Sequence, residues 1–424
     1  MRLLLAPMLS LLAGMALVAA TGVRLTRLQF VGAAMALGAP LLGAVLSLGF
    51  MCGASASAAV WTSVVLCPLA CGWCCRRVAF DGKQHAAALP ALLGAGLLGF
   101  SVVIRFLAVP AVRGDGLSIA LLRALALQQP DGPWAWLSSE DAALLKADYP
   151  LGMPALMTFG HILGGGGDAA ALTPLLLALP GAALFAIATV ARHSTLAAWL
   201  AAALFGALPL LRTYASSGQS DPLIAAVLCV AVLACAQGVG GLRLALASLL
   251  LLPFVKFEGA LHLVLLGVLL LPLLERRARL RWCIAGMCVL SAWPLTLLLH
   301  GMMPLLRERV AEGAAASVGD ITTAWLQAAL SPQHALSMLP LLGLLAAALL
   351  MNNHVWRLPA KACASLCIAV PLLLLLRGTT AEAAVHGDVL HRLYLQLAPA
   401  LIALVAVAAA RLLAPAAPAA TTES

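Results

Sequence analysis

The stretch LLPFVKFEGALHLVLL, residues 251–266, carries Lys256 and Glu258 inside an otherwise apolar run. A second polar pair, His391 and Arg392, opens the apolar stretch HRLYLQLAP. Ammonium and guanidinium groups at headgroup depth can hold a phosphate, and a guanidinium can bind two phosphate oxygens at once. Lys256 and Arg392 therefore form a candidate phosphate-binding pair, with His391 beside Arg392. The alternative for Arg392 is a side chain that snorkels to the membrane surface.

Two aspartates lie where apolar stretches meet loops. Asp115 follows the end of one stretch and begins a predicted helix, and Asp221 precedes Pro222 in SSGQSDPL, residues 216–223. A carboxylate held at the membrane face can act as a general base. Aspartate is also a good N-cap, and Pro favours the first helical turn. For Asp115 we weigh a base against a cap, and for Asp221 capping is the leading interpretation.

The composition identifies an integral membrane protein. Hydrophobic residues make up 63% of the 424 residues, charged residues only 10%, and the mean hydropathy is +1.04. Soluble domains carry roughly 25% charged residues. The formal charge of +9 comes from short basic clusters between apolar runs, which indicate orientation in a membrane and not nucleic-acid binding.

Thirteen apolar stretches approach the roughly 20 residues that a membrane-spanning helix needs. They lie near residues 3–22, 29–51, 54–75, 88–110, 168–191, 195–212, 221–238, 242–255, 258–274, 282–300, 334–352, 360–376 and 391–412. The predicted fold is an all-α polytopic membrane protein with 11 to 13 transmembrane helices. We expect the first helix to be retained as an uncleaved span, and the stretches 242–255 and 258–274 to form a hairpin whose turn holds Lys256 and Glu258 at the hydrated outer boundary.

The basic residues predict which loops face the cytoplasm. If the loop 113–150 faces outward, the inner loops hold 14 of the 25 Lys and Arg with three acids, Asp81, Glu275 and Glu423. Those 14 are Arg24, Arg27, Arg76, Arg77, Lys83, Arg192, Arg243, Arg276, Arg277, Arg279, Arg281, Arg357, Lys361 and Arg411. Such an excess is typical of cytoplasmic loops. The prediction is a membrane protein whose polar chemistry faces outward.

The first large outer loop, 113–150, has apolar residues at helical spacing in DGLSIALLRALAL and a helix-start pattern in SSEDAALLKADYP. We predict two interfacial helices there, with Arg123 in a solvated position. The stretch 151–164, LGMPALMTFGHILG, is short for a span and is predicted to lie at the interface as well.

Cys71, Cys74 and Cys75 form a CxxC in CGWCCRR, but no second ligand pair stands at zinc spacing. We interpret them as small residues compatible with lipid, and we predict no metal and no cofactor. The sequence also holds neither a Walker loop nor a GxSxG motif.

Taken in order, several motifs resemble the bacterial GT-C glycosyltransferases, the multispanning enzymes related to protein mannosyltransferases and the lipid A aminoarabinose transferase. They are an outer loop that opens with Asp115 and closes with DYP (148–150), an SxxD-like step before the span at Asp221, the KFEG turn (256–259) and HRLYLQLAP. The resemblance covers residues 86–412. It divides the chain into N-terminal hairpins (1–85), a catalytic module (86–274) and a C-terminal transmembrane module (275–424).

The resemblance implies an inverting transferase that moves a sugar from a polyprenyl-phosphate donor to a lipid, glycan or protein acceptor. It also implies a bacterial inner-membrane protein with its active site on the periplasmic or extracellular face. It implies that Asp115 is the general base, that Asp148 and Tyr149 border the same cleft, and that Asp148 is the second candidate base. Lys256, Arg392 and His391 would hold the donor phosphate. Asp221 and Glu258 would line the cleft.

Two other classes remain open. A lipid or solute transporter or flippase would show paired halves and interrupted helices near the membrane centre, and we find no internal repeat. A polysaccharide polymerase or ligase would concentrate polar residues in a large late loop, whereas the late loop 301–333 is modest.

Overall fold

The computed structural model describes residues 2–76, 78–81, 88–108, 112, 120–129, 134, 149–208, 211, 214–215, 218–301, 338–376 and 389–414. Its helices are α1 (Arg2–Ala20), α2 (Arg27–Met51), α3 (Ala56–Cys75), α4 (Ala88–Ala108), α5 (Leu122–Ala126), α6 (Gly152–Gly164), α7 (Asp168–Leu172), α8 (Ala178–Ala191), α9 (Thr195–Ala207), α10 (Asp221–Ala234), α11 (Gly238–Leu249), α12 (Leu252–Val255), α13 (Phe257–Leu270), α14 (Arg276–Leu299), α15 (Leu339–Leu350), α16 (Arg357–Leu376) and α17 (Val389–Leu413). Short 3-10 turns follow α7, α10 and α13. Within these ranges no strand forms.

The helices confirm the all-α, polytopic class. Every one of the thirteen predicted apolar stretches coincides with a helix, allowing for shifts at the ends. Seven helices of the described part are long and apolar enough to cross a membrane: Arg2–Ala20, Arg27–Met51, Ala56–Cys75, Ala88–Ala108, Asp168–Ala191, Arg276–Leu299 and Arg392–Leu413. Five more are apolar but shorter. The exact number of spans stays a prediction.

Local side-chain chemistry explains several helix starts. Thr26 and Gln29 form a capping box at α2, in which the Thr26 hydroxyl accepts from the Gln29 N–H at 3.3 Å and the Gln29 Oε1 accepts from the Thr26 N–H at 3.0 Å. Ser55 and Ser194 accept from the third residue of α3 and α9 in the same way. Each cap satisfies an N–H that the helix itself leaves unpaired.

The core is built around α8 and α10. Every residue of α10 is buried, as are all but one of the fourteen residues of α8. Helix α2 packs along α8, while α10 packs against α8, α11 and α17. The first 85 residues therefore share one core with the rest of the chain. Helices α3, α4 and α14 lie outside, where most of their apolar side chains stay uncovered, as expected of lipid-facing helices.

The loops gather at two ends of the bundle. At one end, the carboxylate of Asp221 contacts Lys256 and Arg392. At the other end, Arg192 pairs with Asp81 and donates to Gln237. Helix α10 separates Asp221 from Gln237 by about 20 Å of helix. We call these the site end and the opposite end. The grouping of loops agrees with the predicted alternation, and the assignment of the opposite end to the cytoplasm stays a prediction.

The stretch 151–164 differs from expectation. It forms helix α6, as predicted, but ten of its thirteen residues are buried against α1, α2, α5 and α7. A helix that lies on the membrane surface keeps one polar face in water. Helix α6 has no such face, because only His161, Ile162 and Gly164 are even half-exposed, so its predicted placement on the surface of the membrane is wrong.

Close helix contacts depend on glycine at α1 and α2. A Cβ atom at Gly14 would collide with the backbone oxygen of Ala34, and one at Gly38 would collide with that of Ser10. Each helix thus contributes one glycine that lets the backbone of the other helix come close. Small residues at such crossings are typical of membrane helix pairs.

We predict that Gly38→Val separates α1 from α2 and lowers the free energy of unfolding by at least about 2 kcal/mol, as overpacking does. Unfolding in mixed micelles with increasing dodecyl sulfate would measure this. The matched control is Gly72→Val, because a Cβ at Gly72 in α3 meets nothing within 4 Å. Equal losses in the two variants would contradict the proposed role of close packing.

Candidate functional site

Lys256 occupies a break between two helices. Helix α12 ends at Val255, Lys256 is extended with φ −163° and ψ 158°, and α13 begins at Phe257. The turn is tight, because a Cβ atom at Gly259 would collide with the backbone oxygen of Leu252. This explains the glycine of KFEG. The break points the lysine side chain away from the helix axes and into the bundle, where only 3% of it stays exposed.

Asp221 is the centre of the site. It stands in the first turn of α10 and is completely buried. Its Oδ1 accepts from Lys256 Nζ at 3.0 Å and from Gln396 Nε2 at 2.7 Å, and its Oδ2 accepts from Arg392 Nε at 2.9 Å. The helix does begin at Asp221, with Ser220 at the N-cap position, but the hydrogen bonds shown for the Asp221 carboxylate all come from side chains and none from a backbone N–H. Capping as the role of Asp221 is therefore wrong, and the carboxylate instead joins three segments.

Gln396 extends this network to His262. Arg392 and Gln396 are four residues apart on α17 and so lie on one face of the helix. The carboxylate of Asp221 lies between two cations and is therefore a hydrogen-bond acceptor, so Gln396 turns its NH₂ group toward it. The amide oxygen of Gln396 then lies 3.0 Å from His262 Nε2. An amide oxygen cannot donate, so His262 Nε2 carries a proton. His262 Nδ1 is buried without a hydrogen-bond partner among the described residues.

The charges of the cluster formed by Lys256, Arg392, Asp221 and Glu258 balance. Lys256 and Arg392 supply two positive charges, and Asp221 and Glu258 supply two negative ones, with Lys256 Nζ 3.3 Å from Glu258 Oε1. Counted over the whole residue, backbone included, the exposed fractions are 2% for Lys256, 5% for Glu258 and 8% for Arg392. Buried charges are tolerated when they are paired. The predicted hydration of Lys256 and Glu258 is thus wrong, since both side chains are covered by protein, while the position of the turn at the outer boundary of the membrane stays a prediction.

A narrow cleft of about 20 Å³ lies against the two cations. Its walls come from the segment before α6, from residues 218–220 and from the break between α12 and α13; they include Tyr149, Met153, Ser220, Lys256 and Arg392. The cleft has room for about one water molecule. Asp221 and Glu258 are not among the lining residues and contact Lys256 from behind it.

Two contacts hold the Tyr149 side of the cleft. Arg123 Nη2 donates to the backbone oxygen of Tyr149 at 2.8 Å, and the Tyr149 ring packs against Phe257 with ring centroids 5.5 Å apart. Arg123 is fully buried. Its predicted solvated position is wrong, and the reason is the carbonyl group that it binds.

The structure thus brings together Tyr149, Asp221, Lys256, Glu258 and Arg392 out of the predicted site residues. Asp115 and Asp148 lie outside the described residues. The backbone of His391 belongs to α17, while its side chain is also outside the description.

Sequence reasoning missed Arg123, His262 and Gln396. For the last two a signal existed in the spacing: His262 stands four residues after Glu258, and Gln396 four after Arg392. Such pairs share a helix face. For Arg123 no local signal existed, because its partner is a backbone oxygen 26 residues away.

Comparisons with known proteins place this chain in no group. No protein-family model matches it, and neither a curated protein nor a solved structure shows significant similarity to it. Its function must be argued from the site itself.

We predict that Asp221→Asn lowers the free energy of unfolding by about 3–5 kcal/mol, because it leaves two buried cations short of their main counter-ion. Unfolding in mixed micelles measures this. The matched control is Asp81→Asn, which removes the partner of Arg192 from a pair whose side chains are 24% and 26% exposed. That variant should lose about 0–1 kcal/mol. A loss at Asp221 no larger than at Asp81 would show that the buried network does not organise the site end.

Proposed function

We propose that this protein is an integral membrane glycosyltransferase of the GT-C class, which moves a sugar from a polyprenyl-phosphate donor to a lipid, glycan or protein acceptor. The observation that carries the proposal is the buried pair Lys256 and Arg392, fixed by Asp221 against a cleft at one end of the bundle. The proposed location is the bacterial inner membrane, with the site end facing outward.

The cation pair suits a phosphate leaving group. When the bond between sugar and phosphate breaks, negative charge develops on the phosphate oxygens. Cationic groups that are already in position stabilise this charge without reorganising during the reaction. Asp221 and Gln396 supply that preorganisation, because they fix Lys256 and Arg392 from behind while both cations face the cleft.

The acceptor hydroxyl needs a general base within hydrogen-bond reach. By the resemblance of the outer loop, Asp115 is the proposed base and Asp148 the second candidate. Tyr149, the residue after Asp148, lines the cleft beside Lys256, which supports a role for this loop at the same site. The polyprenyl tail of the donor remains in the membrane. It can lie against the apolar helices that the protein exposes to lipid around the bundle.

Donor binding should respond to the charges of the cluster in opposite directions. We predict that Arg392→Gln weakens binding of a short isoprenyl phosphate, such as farnesyl phosphate, by about 2–5 kcal/mol. Glu258→Gln gives the neutral cluster a net positive charge, so it should strengthen binding by roughly 1–3 kcal/mol, the interaction of nearby charges at moderate dielectric. Isothermal titration in detergent measures both values.

The control for net charge is Arg243→Gln, which removes an exposed arginine of α11 at the opposite end and should leave the affinity unchanged. Unfolding of each variant in the same detergent shows that it is folded. If Arg392→Gln and Glu258→Gln change the affinity in the same direction, or neither changes it, Lys256 and Arg392 do not bind the donor phosphate.

We predict that Asp115→Asn abolishes sugar transfer and leaves isoprenyl phosphate binding nearly intact, since the base acts on the acceptor and not on the donor. The measurement is release of isoprenyl phosphate from a panel of polyprenyl-phosphate hexoses and pentoses, followed by thin-layer chromatography. Substantial turnover in this variant would move the role to Asp148, tested as Asp148→Asn. Passage of a donor across vesicles, with no phosphate released from any of the panel, would identify a flippase instead.

A further inference from the structure

A second polar cavity lies at the opposite end of the bundle. It has a volume of about 460 Å³, is partly open to solvent, and lies between the turn from α8 to α9, the turn from α15 to α16, and the last residues of α17. We call it the opposite-end cavity. Its polar and aromatic lining consists of His193, Ser194, Asn353, His354, Trp356 and Arg411.

The lining presents hydrogen-bond donors. Asn353 Oδ1 is occupied, because it accepts from the N–H groups of Val355 and Trp356 at 3.0 and 3.1 Å, so the Asn353 amide keeps its NH₂ group as the donor. Ser194 Oγ accepts from the Ala197 N–H at 3.1 Å and retains its hydroxyl proton. Arg411 adds a guanidinium group. A group that only accepts, such as a phosphate, matches this set.

The described lining of the cavity carries positive charge from Arg411. Neither Asp nor Glu is found among the described residues that line it. Asp81, on the neighbouring loop, is held by Arg192 at 2.7 Å. Partial burial of the ring, together with the positive Arg192 and the nearby His354, lowers the pKa of His193 below its usual value of 6.5. A bound anion would offset this repulsion and favour the charged imidazole.

The shape fits a phosphate that carries an apolar group. Val407 and Ala410 of α17 form an apolar wall below Arg411, and Trp356 is buried with its ring packed edge-on against His193, with centroids 5.4 Å apart. The cavity lies beside the ends of three apolar helices, α8, α15 and α17. We propose that the opposite-end cavity binds a phosphate group, either of an anionic lipid headgroup or of a soluble molecule. This site is separate from the cation pair at the site end.

Native mass spectrometry of the full chain tests the proposal with two phosphate lipids. Dioleoyl phosphatidylglycerol carries one negative charge, and dioleoyl phosphatidylcholine carries none overall. We expect the wild-type protein to retain phosphatidylglycerol preferentially and Arg411→Gln to retain about fivefold less of it, the effect of roughly one headgroup-contacting charge. Arg243→Gln, which removes an exposed arginine of the same end outside the cavity, is the matched control and should retain as much as the wild type.

The pH provides a second readout that a nonspecific attraction would not give. Phosphatidylglycerol keeps its charge between about pH 5.5 and pH 8, whereas a histidine loses its charge in this range. Retention should therefore be stronger at the lower pH, and His193→Gln should reduce this dependence. The other charged groups that face His193, namely Arg192, His354 and Arg411, remain in that variant.

Inorganic phosphate distinguishes the two sources. If millimolar phosphate displaces the lipid and itself binds, the site takes the phosphate of soluble molecules; if only the lipid binds, the site is a headgroup site. Either outcome supports the proposal. Equal retention of the two lipids, or equal losses in Arg411→Gln and Arg243→Gln, would overturn it.

Discussion

The carboxylate of Asp221 is the contact on which the site end depends. It binds an ammonium, a guanidinium and an amide, and these groups belong to the break between α12 and α13 and to helix α17. Taking such charges out of water costs several kcal/mol per ion, and a hydrophobic replacement of equal volume would often be as stable. We therefore explain the network by the position that it gives to Lys256 and Arg392, and not by a gain in the stability of the fold. It fixes two cations at the wall of a cleft.

The bundle around Asp221 can hold that position because it is closely packed. Helix α10 is buried along its whole length, and α8 beside it nearly so. Gly32 and Gly181 let the backbones of α2 and α8 approach so closely that a Cβ at either position would collide with the other helix. Asp221 and Arg392 are 171 residues apart in the chain, and their contact survives only in a scaffold with little freedom to shift.

The sequence predicts the helices well and the contacts between them poorly. Hydropathy located thirteen helices because each is a continuous apolar stretch, a property of neighbouring residues. It also singled out Lys256 and Arg392, since charges are rare there. Sequence reasoning assigned Asp221 to a cap, because the partners of its carboxylate lie 35 or more residues away. It assigned Arg123 to a solvated position, because the group to which Arg123 donates is a backbone oxygen. Nothing in a local pattern encodes such pairings.

The two ends of the bundle also differ in whether their basic residues are buried and paired or exposed. At the site end the cations Lys256 and Arg392 are cancelled by buried carboxylates, so they add little to the field at the membrane surface. At the opposite end the basic residues are mostly exposed, among them Arg24, Arg27 and Arg243. Orientation follows the excess of Lys and Arg in the loops, and acidic residues contribute little to it. The exposed arginines therefore agree with the prediction that the opposite end faces the cytoplasm, while the pairing of Lys256 and Arg392 at the site end has no bearing on it.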